Sequence, residues 1–199
     1  MILVHATCIA VEGAGVLLRG ASGCGKSDLA LRLVAAGARL VADDQVICRA
    51  TAEGQVQASP PPALAGWLEV RGIGIVPLPY QESVPLVLVV DLLTADAEER
   101  DAGERLPPVR TCSLAGVVLP WVALAPFQAS AVARLHVAVR EARAGRLGRI
   151  PAAFADFSGP ARPFSASCSA FADSSFPVAL PVVPPVVPGL SANACASEP

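Results

Sequence analysis

With 199 residues, 53% of them hydrophobic and only 16% charged, the chain is long enough for one domain with a sizeable core. Fifteen basic against seventeen acidic residues leave a net charge of −2, which supplies no electrostatic basis for binding nucleic acid or an anionic membrane. Six cysteines, at 8, 24, 48, 112, 168 and 195, form neither a Cys-x-x-Cys pair nor a metal-binding spacing, so free thiols in the cytoplasm are expected rather than a disulfide scaffold.

The first residues lack the basic start and long apolar run of a signal peptide. Ile2 to Val11 is apolar and β-prone, Glu12-Gly13-Ala14-Gly15 reads as a turn, and Val16 to Arg19 returns as the second arm of a hairpin. Then comes Gly20-Ala21-Ser22-Gly23-Cys24-Gly25-Lys26-Ser27, which matches the Gly-x-x-x-x-Gly-Lys-Ser/Thr phosphate-binding loop at every fixed position. Lys26 is the only lysine of the chain; the other fourteen basic residues are arginines. Glycines allow such a loop to turn successive N–H groups inward as an anion nest, to which the following helix adds its positive end. Lys26 is expected to reach the β- and γ-phosphates and Ser27 to ligate Mg²⁺, with all eight loop residues lining the nucleotide site. The flanks fit: a short buried strand precedes the loop, and Asp28 to Ala36 reads as a helix stopped by Gly37.

Arg39 to Ala42 reads as a strand that delivers Asp43 and Asp44 at its end, expected beside the strand leading into the loop. Gln45 to Arg49 and Gln55 to Ala58 are short strands around Glu53-Gly54, and Ser59-Pro60-Pro61-Pro62 is a break. Leu68 to Val76 contains Glu69-Val70-Arg71-Gly72-Ile73-Gly74-Ile75. Leu86 to Val90 is a buried strand ending at Asp91, and Thr94 to Arg105 is a charged loop or short helix. Thr111 to Ala133 is uncharged and long enough to span a bilayer, but Pro120, Pro126 and Gln128 break it, so strands and a loop are expected there, not a membrane span. Gln128 to Arg143 has the periodicity of an amphipathic helix. Beyond it, 9 of the 19 prolines and only four charged residues fall after residue 150, so residues 149–199 are expected to be a disordered Pro/Ser-rich tail, or the product of a reading-frame error, attached to a catalytic domain of residues 1–148.

Phosphoryl transfer needs metal ligands and a group to orient or deprotonate the nucleophile. Asp43-Asp44 is the leading pair for that work; Asp91 and Glu69 compete for the metal. A simple GTPase is disfavoured, because Asn193 is the only asparagine and no second lysine exists to build an Asn-Lys-x-Asp motif.

His5, the loop of residues 20–27, Leu40-Val41-Ala42-Asp43-Asp44 and the Glu-x-Arg-Gly-x-Gly-Ile segment at Glu69 occur in the order and spacing of the bacterial HPr kinase/phosphorylase catalytic domain, which the chain resembles over roughly residues 2–145. The resemblance implies a phosphate-loop α/β fold related to phosphoenolpyruvate carboxykinase, with a mixed β core and flanking helices. It implies ATP and Mg²⁺ as cofactors, a regulatory serine of the phosphocarrier HPr as acceptor, phosphorolysis to pyrophosphate in reverse, and a homo-hexamer. By the same resemblance Asp43 is the base and acid of the two directions, His5 lies close to it, Ser27 and Glu69 hold Mg²⁺, and Arg110 clamps phosphate in the reverse reaction. Departures are the absence of an N-terminal regulatory domain and Thr111-Cys112-Ser113-Leu114 in place of an Arg-Pro-Gly-Arg-Asn-like stretch, which resembles short alphaproteobacterial forms. Competing readings are a small-molecule kinase or NTPase using the same loop, and a non-catalytic nucleotide sensor.

Overall fold

The computed structural model describes residues 1–94 and 110–149. The expected tail, apart from Arg149, and almost all of the 94–105 segment lie outside the described residues.

The amino-terminal apolar stretch divides in two. β1 (Ile2–His5) pairs antiparallel with β5 (Gln45–Ala50), whereas β2 (Thr7–Val11) turns through Glu12-Gly13 into β3 (Ala14–Arg19) as the expected hairpin. The glycine-rich loop follows, then α1 (Lys26–Ala35) and β4 (Arg39–Ala42). β6 (Val56–Ser59) returns from β5 and is followed by a short 3₁₀ turn at Pro62–Leu64. Leu68 to Val76 is a separate hairpin of β7 (Trp67–Val70) and β8 (Gly74–Pro77), reversed at Arg71-Gly72-Ile73. β9 (Val84–Leu92), β10 (Arg110–Leu114), β11 (Val117–Leu124) and α2 (Ala131–Arg143) complete the described chain.

Nine strands form one mixed sheet, in the order β1-β5-β6-β9-β3-β2-β4, with β11 pairing to β9 and β10 to β11. One expectation is corrected here. β4 does not lie beside β3; β2 stands between them, because the tight hairpin gives β3 its neighbour and leaves the other edge of β2 to receive β4. β2 is antiparallel to both, so β3 and β4 run the same way, and β9 and β11 run parallel to β3. The carboxyl ends of β3, β4, β9 and β11 therefore share one edge, where α/β proteins place their ligands.

Side-chain alternation divides the interior into two cores. Ile9, Val16, Leu18, Leu40, Leu88 and Val90 face α1 and α2, packing on Leu29, Leu33, Leu135 and Val139. Cys8, Leu17, Val41 and Val89 face the opposite side, against Val46, Cys48, Val56 and Leu119. Burial on both faces explains why β2, β3 and β9 read as continuous apolar runs rather than alternating ones. The Cys8 and Cys48 thiols are free; burial pushes Cys48 up to about 11 and raises Cys8 further, so both behave as inert core side chains. α2 presents Ala131, Leu135 and Val139 to the core at four-residue spacing. It starts three residues later than its periodicity suggests, because Gln128 to Ala131 forms a turn (Ala131 N–H to Gln128 O, 3.0 Å).

The uncharged 111–133 segment is β10, β11, a loop and the first turn of α2, and no described helix is long and apolar enough to cross a membrane. Pro120 is tolerated in β11 because the register with β9 begins one residue later, at Trp121.

Gly15 marks the tightest approach in the sheet. It lies at the irregularity between β3 and β9, where an added Cβ would fall 2.7 Å from Val84 Cγ1 and 2.9 Å from the Pro85 carbonyl oxygen. Gly15→Ala is expected to destabilise the fold by about 1–3 kcal/mol through overpacking, seen as a lower urea midpoint at unchanged slope.

Candidate active site

α1 begins without a side-chain cap, from Gly25 in the left-handed conformation (φ 99°), so its first amide N–H groups are not closed off by the chain's own hydroxyls or carboxylates. Gly25 is required twice over. Its backbone angle disfavours other residues, and a Cβ there would come 2.8 Å from the Phe127 ring. The Lys26 ammonium folds back over the loop, donating to the carbonyl oxygens of Gly20 (2.9 Å) and Ala21 (3.1 Å). Cys24 is buried, with its sulfur packed against Gly20, which accounts for this loop thiol by packing. An uncapped helix amino terminus and a buried ammonium are features able to accept a phosphate-like anion.

Asp43 sits at the carboxyl end of β4 and is 8% exposed. Its carboxylate is held from three segments. The fully buried Thr7 hydroxyl donates to Oδ1 at 2.6 Å, the Ser27 hydroxyl lies 3.1 Å from both oxygens, and the Glu69 amide N–H approaches Oδ2 at 3.4 Å. β3 and β4 are not neighbours, yet their parallel directions bring Ser27 and Asp43 to the same edge. Thr7 was not singled out from sequence. No motif marks it; its role comes from β2 lying beside β4.

The two adjacent aspartates diverge. Asp44 adopts a left-handed backbone (φ 66°) and turns outward. His5 lines the same cleft as Asp43 and bonds to the residue that follows it. The β1–β5 register places His5 opposite Gln45, and its Nδ1 lies 2.9 Å from the Asp44 carbonyl oxygen and 3.1 Å from the Asp44 carboxylate. His5 supports the Asp43-Asp44 turn through Asp44.

Glu69 is exposed on β7 and lines the same cleft, as does Arg71, whose guanidinium would lie 3.2 Å from a Cβ on Gly23. Arg71 is thus the second cation at the glycine-rich loop. Among the described residues no three His, Cys, Asp or Glu side chains converge as a ready metal centre. The oxygens of Ser27, Asp43 and Glu69 are nevertheless the hard donors that Mg²⁺ takes together with substrate phosphates. The cleft encloses about 640 Å³, within the range of small-molecule sites.

Asp91 and Arg110 belong elsewhere. In β9, Asp91 shares its face with Val89 and so points away from α1. It accepts two hydrogen bonds from Arg19 (2.7 and 2.9 Å) and one from Trp121 Nε1 (2.5 Å). Arg110 stands directly opposite Trp121 in the β10–β11 ladder, with its guanidinium 5.3 Å from the ring centroid. Neither lines the cleft that holds Lys26. Arg110 thus occupies a stacked position on Trp121, outside that cleft.

Fold and cleft define an α/β protein with a glycine-rich loop and a buried carboxylate at the ends of its parallel strands. The model of the HPr serine kinase C-terminal domain matches residues 1–149, and the chain belongs to that family. It is 41% identical over 111 residues to the HPr kinase/phosphorylase of Bordetella petrii, covering 52% of this chain and 35% of that protein. It is 50% identical over 74 residues to the HPr kinase/phosphorylase of Caldanaerobacter subterraneus subsp. tengcongensis, covering 37% and 24%. The chain thus spans about a third or less of the length of these curated relatives. The solved Hpr(Ser) kinase/phosphatase from Coxiella burnetii shares the fold, with a TM-score of 0.63 at 24% identity over 73% of this chain and 98% of that one.

If Asp91 is a structural anchor, Asp91→Asn lowers stability by about 1 kcal/mol, a value discounted for its partial exposure, and leaves nucleotide affinity unchanged. Paired urea titration and ATP-binding isotherms check this; a loss of ATP affinity at unchanged stability would return Asp91 to the site.

Proposed function

We propose that this chain is a phosphate-loop kinase related in fold to phosphoenolpyruvate carboxykinase. It transfers the γ-phosphoryl group of ATP to a regulatory serine of an HPr-type phosphocarrier, and returns that group to inorganic phosphate in the reverse direction. The observation that carries the reading is the buried Asp43 carboxylate hydrogen-bonded to Ser27, the residue that follows Lys26 in the loop.

The nest at residues 20–27 and the Lys26 ammonium bind the phosphates and offset charge in the loose transition state. Asp43 takes the proton of the serine hydroxyl as its oxygen bonds to the γ-phosphorus and the bond to ADP breaks. In reverse, a phosphate oxygen attacks the phosphoserine phosphorus, the serine oxygen leaves with the proton from Asp43, and pyrophosphate forms. Thr7 holds the carboxylate at the angle this needs. Ser27 and Glu69 would hold Mg²⁺, which would supply positive charge to offset that of the nucleotide phosphates. Arg71, lying over Gly23, is the cation available to an incoming phosphate. His5 acts through the backbone of Asp44. The resemblance further suggests a hexamer acting in the cytoplasm beside its acceptor, with residues 149–199 as an appended tail; sedimentation tests the first.

Incubation with HPr, ATP and Mg²⁺, followed by inorganic phosphate, tests both directions. Lys26→Ala is expected to lose about 100-fold or more in rate, as when one electrostatic stabiliser is removed. Asp43→Asn is expected to slow both directions by about 10²- to 10⁴-fold while ATP still binds. An Asp43→Asn protein with parental activity in either direction removes Asp43 from its shared role. ATP consumption without transfer to HPr would favour an NTPase or a small-molecule kinase. Glu69→Gln is expected to raise the Mg²⁺ concentration needed for half-maximal rate; an unchanged Mg²⁺ dependence excludes it as a ligand.

A further inference from the structure

One wall of the cleft has an aromatic side chain that the phosphoryl chemistry does not use. Phe127 lies between β11 and α2 and is 69% exposed, unusual for a large apolar ring. It lines the same cleft as Lys26, Asp28 and Leu31.

Its place is determined by contacts with α1. The ring abuts the Gly25 backbone, with Cζ and Cε1 only 2.8 and 3.2 Å from where a Cβ would stand, and Pro126 Cγ at 3.3 Å. The carbonyl of Pro126 accepts a hydrogen bond from Arg32, which also pairs with Asp28 one helical turn back (2.9 Å). The helix that carries Lys26 thus also carries the arm that holds Phe127, with one ring edge against the loop and most of the ring open.

We propose that Phe127, with Leu31, forms the nucleobase subsite, accepting the flat face of a purine nucleoside triphosphate by stacking. This rests on the reading that residues 20–27 hold the phosphates. The transferable phosphate must face Asp43 and Glu69, so the nucleoside leaves the loop away from them, along the wall that Phe127 and Leu31 provide. Trp67 is the rival aromatic in the cleft, but it shares a face of β7 with Glu69 and belongs to the acceptor side. Stacking uses the π-face present on every base, so this subsite orders the base without strongly separating adenine from guanine.

The test compares ATP, GTP and inorganic tripolyphosphate binding to the parent chain, Phe127→Ala and Phe127→Tyr by calorimetry. Phe127→Ala is expected to weaken ATP and GTP by about 5- to 150-fold and to leave tripolyphosphate unchanged, which also shows that the loop is intact. Phe127→Tyr keeps the ring and the parental affinities. Parental ATP affinity in Phe127→Ala, or equal weakening of tripolyphosphate, overturns the subsite while leaving the loop assignment standing. A parent chain that binds neither ATP nor tripolyphosphate overturns the loop assignment, and the subsite with it.

Discussion

The Asp43 carboxylate is the point on which the site depends. It is nearly buried, and the cost of burying a carboxylate is met only by donors that reach it. Thr7 comes from β2, Ser27 from the first turn of α1 and the Glu69 amide from β7. Each segment is placed by a different part of the fold: the β2–β3 hairpin, the β3–α1–β4 crossover and the separate β7–β8 hairpin. Removing one donor would leave the others bonded to a less well held carboxylate. The network therefore couples the glycine-rich loop to the carboxyl end of β4.

The sheet separates two kinds of polar cluster by the two-residue period of its strands. The Arg19, Asp91, Trp121 and Arg110 group stands on the face opposite the helices, where ion pairing and ring stacking close the ends of β3, β9, β10 and β11. Asp91 holds Arg19 through two hydrogen bonds, which raise the guanidinium further above its ordinary value. The cleft group faces the other way, toward the amino terminus of α1. Two acids, each at the end of an apolar strand, thus have different surroundings because Asp91 follows the alternation of β9 while Asp43 meets the first turn of α1.

Much of this organisation was legible in the residues. The glycine-rich octet, the strand before it, the helix after it and the β2–β3 turn are local patterns, governed by backbone freedom at glycine and by apolar spacing. The Glu69 to Ile75 segment marked the family, although its hairpin form was not assigned. Less was legible wherever position depends on which strands pair. The insertion of β2 between β3 and β4, His5 facing Asp44, Thr7 beneath Asp43 and Arg110 stacked on Trp121 all follow from register between segments far apart in sequence.

By itself the sequence determined the family and the local unit of strand, glycine-rich loop and helix that carries Lys26, because each is written in short-range spacing and residue type. Only the tertiary structure decided which acid meets the loop, which aspartate His5 bonds to, where Arg110 stacks, and which aromatic ring stays open beside the loop. A one-residue change of register or a different neighbour in the sheet would send the same side chains to the other face, and no local pattern records that choice.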